Sequence, residues 1–136
     1  MVAAPALPRN EDGIATVIGI LTQQFGERVQ TGQAIRDQHG HTTSWIDNQP
    51  PDAVIAARST QEVSEIVRIC SDHRVPVIPF GAGTSLEGHT NAPAGGICID
   101  LIEMNQVLAV HNEDLDVVVQ PGVTPVSYTH LRAHET

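Results

Sequence analysis

From Glu11 onward the apolar residues Ile14, Val17, Ile18, Leu21 and Phe25 recur at the spacing of one helix face, and Gly26 stops the pattern. This predicts an N-terminal helical segment within residues 1–30 that serves packing. The next stretch, Gln30 to Pro51, is polar and irregular, with R-D-Q-H-G-H in its middle and Trp45 as its one large apolar group. A surface run is expected there, and histidines in such a run are expected to be solvated loop residues. Ala53 to Ala57 then forms a short apolar strand. Ser59 followed by Glu62 makes a capping box, which satisfies the free N–H groups at a helix start. Val63, Ile66, Val67 and Cys70 continue as a helical stripe, and His73 to Val75 lead through Pro76 into a second strand. Strand, helix, strand is a βαβ unit, whose parallel strands leave ligands at their carboxyl ends. Three more strand candidates follow: Ile97 to Leu101, Val107 to Val110 and Val117 to Gln120. Their poor alternation and β-branched residues predict strands covered on both faces. Pro121 and Gly122 break the run as a turn. The fold class expected is therefore α/β (α+β), a βαβ unit followed by further strands.

Composition narrows the class of partner. At 136 residues the chain is the size of one domain, with 40% hydrophobic and 17% charged residues, ordinary for a soluble globular protein. A formal charge of -9 without any Lys/Arg cluster argues against nucleic acid and anionic membrane surfaces as partners. No apolar run approaches membrane-spanning length. The first residues, M-V-A-A-P-A-L-P-R-N-E-D, lack the basic start and apolar core of a secretory signal, and their acidic residues fit a mitochondrial presequence poorly. A cytoplasmic chain is expected. Cys70 lies on the helical stripe and Cys98 in a strand pattern, so both are read as small core residues rather than a disulfide. Cys70 with His73, and His39 with His41, have ligand-like spacings, but no coherent set of four metal ligands appears.

The chemistry concentrates between Pro76 and Gly88, P-V-I-P-F-G-A-G-T-S-L-E-G. A strand from Val77 to Pro79 delivers the backbone into Gly81 and Gly83, followed by the hydroxyls of Thr84 and Ser85 and then by Gly88. Glycine tolerates positive φ and lets another molecule approach the main chain, so consecutive N–H groups can turn inward as a nest for an anion. Each hydrogen bond from such a donor to a charged oxygen contributes roughly 1.5–3 kcal/mol, so a few of them plus a hydroxyl can hold a diphosphate without Lys or Arg.

Three other patterns compete for this loop. A dinucleotide fingerprint G-x-G-x-x-G would need glycine at Leu86 and a helix starting inside the loop. A P-loop aligns Gly83, Gly88 and Thr90, but His89 stands where lysine is required, and Asn91, Ala92 and Pro93 follow where a helix should run. A plain Gly-rich turn between two strands is the bland alternative.

The last segment, Val126 to Thr136, has neither helical nor strand periodicity and looks like a translated sequencing adapter. It is set aside as a scar, with Pro125 at the junction, and the chain is expected to be the beginning of a longer protein.

Five ordered motifs, P-P-D-A-V, S-T-Q-E-V-S-E-I-V, V-P-V-I-P-F-G-A-G-T-S-L-E-G, G-G-I-C-I-D-L and V-V-V-Q-P-G-V-T, together resemble the FAD-linked D-lactate dehydrogenases that use cytochrome-type acceptors. These and the glycolate oxidase D subunit belong to the para-cresol methylhydroxylase and vanillyl-alcohol oxidase (PCMH-type) flavoprotein fold. The resemblance covers roughly Thr31 to Thr124 and implies a partial FAD-binding domain over residues 31–125. It implies that Pro79, Phe80, Gly81, Ala82, Gly83, Thr84 and Ser85 bind the FAD diphosphate, with Leu86 and Gly88 completing the turn. It further implies oxidation of a D-2-hydroxy acid, with electrons leaving to a cytochrome, a quinone or an electron-transfer flavoprotein, and a peripheral membrane association as a further option. The family's second FAD-contacting patch, its substrate domain and its histidine-rich active-site segment would lie beyond Thr124, so no catalytic residue is named. His89 matches no covalent flavin-attachment motif, and FAD is expected to be held noncovalently. A sugar oxidase or an ether-lipid synthase of the same fold, or a truncated product without function, are the alternatives left open.

Overall fold

The computed structural model describes residues 7–41 and 45–126. Its first helix, α1 (Glu11–Phe25), forms where the apolar spacing predicts it. Asn10 caps it, its side-chain oxygen accepting from the Gly13 N–H at 3.1 Å. The same amide donates to the carbonyl of His73 at 2.8 Å, which ties the helix start to a distant part of the chain. Gly26 ends the helix in a left-handed conformation at φ 62°. A single 3-10 turn, Gly26–Arg28, leads into the two-residue strand β1 (Val29–Gln30).

The polar stretch that follows is not irregular throughout. It folds into α2 (Gln33–Gly40), which carries no apolar stripe beyond Ile35 and so gives no periodic signal. Tertiary bonds hold it instead: Arg36 Nε donates to the Pro51 carbonyl at 2.8 Å, and His39 docks on the sheet. The expectation that the histidines here are solvated fails for His39, which is 6% exposed. Trp45 does lie at the surface.

The strands β2 (Ala53–Ala56), β3 (Val77–Phe80) and β4 (Ile97–Asp100) and the helix α3 (Thr60–Asp72) complete the main body. The four-stranded sheet has the order β1-β2-β4-β3, with β1 antiparallel to β2 and the other pairs parallel. The β2-α3-β3 unit is thus parallel as expected, with β4 inserted between its two strands. Being central, β4 is covered on both faces, and Ile97, Cys98 and Ile99 are buried. The odd-numbered row Ala53, Ile55, Ile97 and Ile99 packs with Ile14, Val17 and Leu21 of α1 and Ile66 and Cys70 of α3. The alternate row ends in Phe80 and Asp100, register partners on the face that carries His39. Ser59 Oγ accepts from the Glu62 N–H at 3.2 Å, as the capping box requires. The Glu62 carboxylate accepts instead from the N–H of Arg58 and from Arg28, so the box is half formed.

β5 (Val107–His111) and β6 (Asp116–Val119) form a separate antiparallel pair. The expectation of coverage on both faces fails here. Leu108, Val118 and Val119 are exposed, because a β-branched run fits any pleated surface and does not by itself report burial. The segment set aside as a scar falls, apart from Val126, outside the described residues.

Candidate functional site

Because β3 and β4 are parallel and in register, Phe80 and Asp100 end side by side, and the glycine loop leaves from that carboxyl edge. Gly83 turns the loop at φ 72° and Gly88 at φ 76°, left-handed values that glycine adopts without strain. Gly83 is required for a second reason: a Cβ there would lie 2.5 Å from Cζ of the Phe80 ring. The main-chain N–H groups of Ala82, Gly83 and Thr84 donate to no acceptor among the described residues, and neither does the Thr84 hydroxyl. A run of unpaired donors at the end of a parallel strand is what an anion-binding loop presents. Ser85 differs. Its hydroxyl accepts from the Glu87 N–H at 3.3 Å and lies 3.1 Å from Nδ1 of His89, so it is already engaged within the loop.

Beside the loop, between α2 and the carboxyl ends of β3 and β4, lies an open cavity of about 590 Å³. Phe80, Gly81, Ala82 and Gly83 form one wall, and His39 and His41 stand on the α2 side. Of the residues expected from sequence to bind the cofactor, Phe80, Gly81, Ala82 and Gly83 line this cavity. Pro79, Thr84, Ser85, Leu86 and Gly88 do not, and Leu86 is 74% exposed.

Sequence reasoning missed His39 and Asp100. His39 Nε2 lies 2.7 Å from Asp100 Oδ2, and its ring packs on Phe80 with centroids 4.5 Å apart. An acidic residue closing an apolar strand, as Asp100 closes Ile97-Cys98-Ile99, is the signal that could have marked one partner. Nothing local marks the other, since 61 residues separate them. The two thiols take no part. Burial pushes Cys70 up to about 11 and Cys98 up to about 12, the latter with help from the Asp100 charge, so neither is a nucleophile at neutral pH. No group of three or more His, Cys, Asp or Glu side chains is placed to hold a metal among the described residues.

Known proteins resemble this chain in sequence and in fold. Residues 51–133 match the family model described as "FAD binding domain". A protein of Danio rerio named "Probable D-lactate dehydrogenase, mitochondrial" is 50% identical over 98 residues, covering 72% of this chain and 20% of that protein. The "Glycolate oxidase subunit GlcD" of Bacillus subtilis is 48% identical over 86 residues, covering 63% of this chain and 18% of that protein. In fold, the chain superposes on p-cresol methylhydroxylase with a TM-score of 0.76 at 20% identity, over 96% of this chain and 27% of that one. The chain therefore spans about a fifth of the length of these curated relatives. The fold is the PCMH-type flavoprotein fold, present here in part.

The described residues suit FAD. The loop offers unpaired donors to a diphosphate, a left-handed glycine where the main chain must be approached, and a cavity alongside.

Proposed function

Because this chain belongs to the FAD binding domain family, and its cofactor is FAD, we propose that it forms the diphosphate-holding part of an FAD-dependent oxidoreductase that oxidises a 2-hydroxy acid of the D-lactate or glycolate kind. The observation that carries this reading is the row of unpaired N–H groups from Ala82 to Thr84 at the end of β3.

In this reading the N–H groups of Ala82, Gly83 and Thr84 and the Thr84 hydroxyl donate to diphosphate oxygens, each contributing roughly 1.5–3 kcal/mol. No Lys or Arg sits in the loop, so the binding is by fixed dipoles rather than a mobile side-chain charge. Phe80 forms the floor beneath Gly83 and keeps the donors from collapsing inward. Leu86 and Gly88 close the turn at the rim. The chemistry that FAD supplies when bound is two-electron oxidation at the substrate α-carbon, with the electrons passed to a cytochrome, a quinone or an electron-transfer flavoprotein. The chain's own contribution is to hold and orient the cofactor.

The test uses the full-length protein that carries this chain. It should purify with FAD, and ADP should compete with FAD for the apoprotein while riboflavin, which lacks the diphosphate, should not. D-lactate or glycolate should bleach the flavin absorbance under anaerobic conditions. Equal competition by riboflavin would remove the diphosphate reading, and flavin that stays oxidised with both acids would remove the substrate reading.

A further inference from the structure

Both ring nitrogens of His39 face oxygen. Nδ1 lies 2.8 Å from the Ile35 carbonyl, which accepts and never donates, so Nδ1 carries a hydrogen. Nε2 lies 2.7 Å from Asp100 Oδ2, and that contact also needs a hydrogen between its two atoms. The other carboxylate oxygen, Oδ1, accepts from the Ile102 N–H at 3.0 Å. A neutral imidazole beside a carboxylate is one hydrogen short of this arrangement. We propose that His39 and Asp100 hold one additional proton between them, and that this proton keeps the glycine cradle in shape, making both of them positioning residues for it.

The route from the pair to the cradle is short. The His39 ring packs on Phe80, and Phe80 in turn fills the space below Gly83. Asp100 also holds the chain leaving β4 through the Ile102 N–H, on the wall of the same cavity. The pair is enclosed, with side chains 7% and 16% exposed, so losing the shared hydrogen leaves two acceptors facing each other with little water to relieve them. Other charged groups nearby are few. Just past the end of α2, His41 lines the cavity, whereas within the helix Arg36 turns to the Pro51 carbonyl and Asp37 to Gln33. β3 carries no charged side chain, and β4 adds the neutral Cys98 thiol. The consequence for ligand affinity rests on the reading that the cradle holds the FAD diphosphate. The consequence for the cradle's shape does not.

Nitrogen-15 NMR on this chain, without ligand, tests the coupling. As pH is raised, the His39 ring nitrogens and the main-chain amides of Ala82, Gly83 and Thr84 should shift together with one midpoint. Asp100→Asn is the informative variant: its amide nitrogen can donate to Nε2 of a neutral ring while its oxygen still accepts from Ile102, so every bond survives without the additional proton. In that variant the cradle amides should keep their wild-type positions at neutral pH and should no longer follow the pH. Cradle amides that ignore the His39 transition in the wild type, which needs no variant to fold, overturn the proposal, as do amides that still follow pH in Asp100→Asn. FAD titration of the full-length protein separates the two readings. Coupled amides together with absent FAD binding would sink the diphosphate reading and leave the shared proton standing. FAD affinity falling about tenfold across the same transition in wild type, and staying level in Asp100→Asn, would support both.

Discussion

Phe80 and Gly83 compete for one volume: the ring's Cζ stands where a Cβ on Gly83 would need to be, 2.5 Å away, at a backbone φ of 72°. A side chain at position 83 is therefore penalised by both the backbone and its neighbour. Gly83→Ala should cost about 1–3 kcal/mol of stability, read as a lowered denaturant midpoint at unchanged m-value. If the loop holds the diphosphate as proposed, Gly83→Asp sets a negative charge against it and should abolish FAD retention in the full-length protein. Wild-type flavin content in Gly83→Asp would return the loop to the status of a plain turn.

Thr84 and Ser85 are adjacent hydroxyls with different commitments. The Thr84 hydroxyl has no partner among the described residues, whereas Ser85 is bonded to Glu87 N–H and placed against His89. Thr84→Val should remove a hydrogen bond to a charged group, roughly 1.5–3 kcal/mol, and weaken FAD about tenfold to a hundredfold. Ser85→Ala should weaken FAD less, while perturbing the His89 ring resonance. Isothermal titration of both variants decides it, and an equal or larger loss in Ser85→Ala would overturn the ranking.

Glu62 ties three parts of the fold together, accepting from Arg28, which also donates to the Ala56 carbonyl, and from the N–H of Arg58. The Arg28 hydrogen bond first, and then the Arg58 N–H, hold its carboxyl below the ordinary 4.5 despite the opposing effect of burial. A folded value below the unfolded one means that the stabilisation is complete above about 4.5 and is lost as pH falls through the lowered value. Glu62→Gln should cost about 1–3 kcal/mol at neutral pH, between the exposed and buried limits for an ion pair, since both side chains are about a quarter exposed. It should also flatten the acid limb of stability below about 4.5. An acid limb unchanged by the substitution would show that other carboxylates carry it.

What sequence could show follows from how local each signal is. α1 and α3 are legible because Ile14, Val17 and Leu21, and Ile66 and Cys70, repeat at the helical period, with Gly26 and Ser59 as boundaries. The glycine loop is legible because its conformation is written in its own residue types. α2 is not, since its stability comes from Arg36 reaching Pro51 and His39 reaching Asp100 rather than from periodicity. The insertion of β4 between β2 and β3 is likewise a choice among pairings that strand composition leaves equal, and with it goes the meeting of His39, Phe80 and Asp100. The conformation of the glycine loop was readable, and the meeting of His39 with Asp100 and Phe80 beneath it was not.

Cys70 and Cys98 give a direct measure of how the core opens. Both are fully buried, one in α3 and one in the central strand β4. Burial raises the Cys70 thiol to about 11, so at pH 8 roughly one native molecule in a thousand carries it as the thiolate. Iodoacetamide should therefore leave the native chain unmodified at pH 8 and label both cysteines once denaturant unfolds it. Below the unfolding midpoint, Cys98 should label no faster than Cys70. β4 is bonded on both edges by β2 and β3, and releasing it requires breaking the sheet, whereas α3 can lift from one face. Mass spectrometry of each cysteine peptide at sub-denaturing concentrations makes the comparison. Prompt labelling of Cys98 in the native chain would mean that β4 is not the closed centre of the sheet.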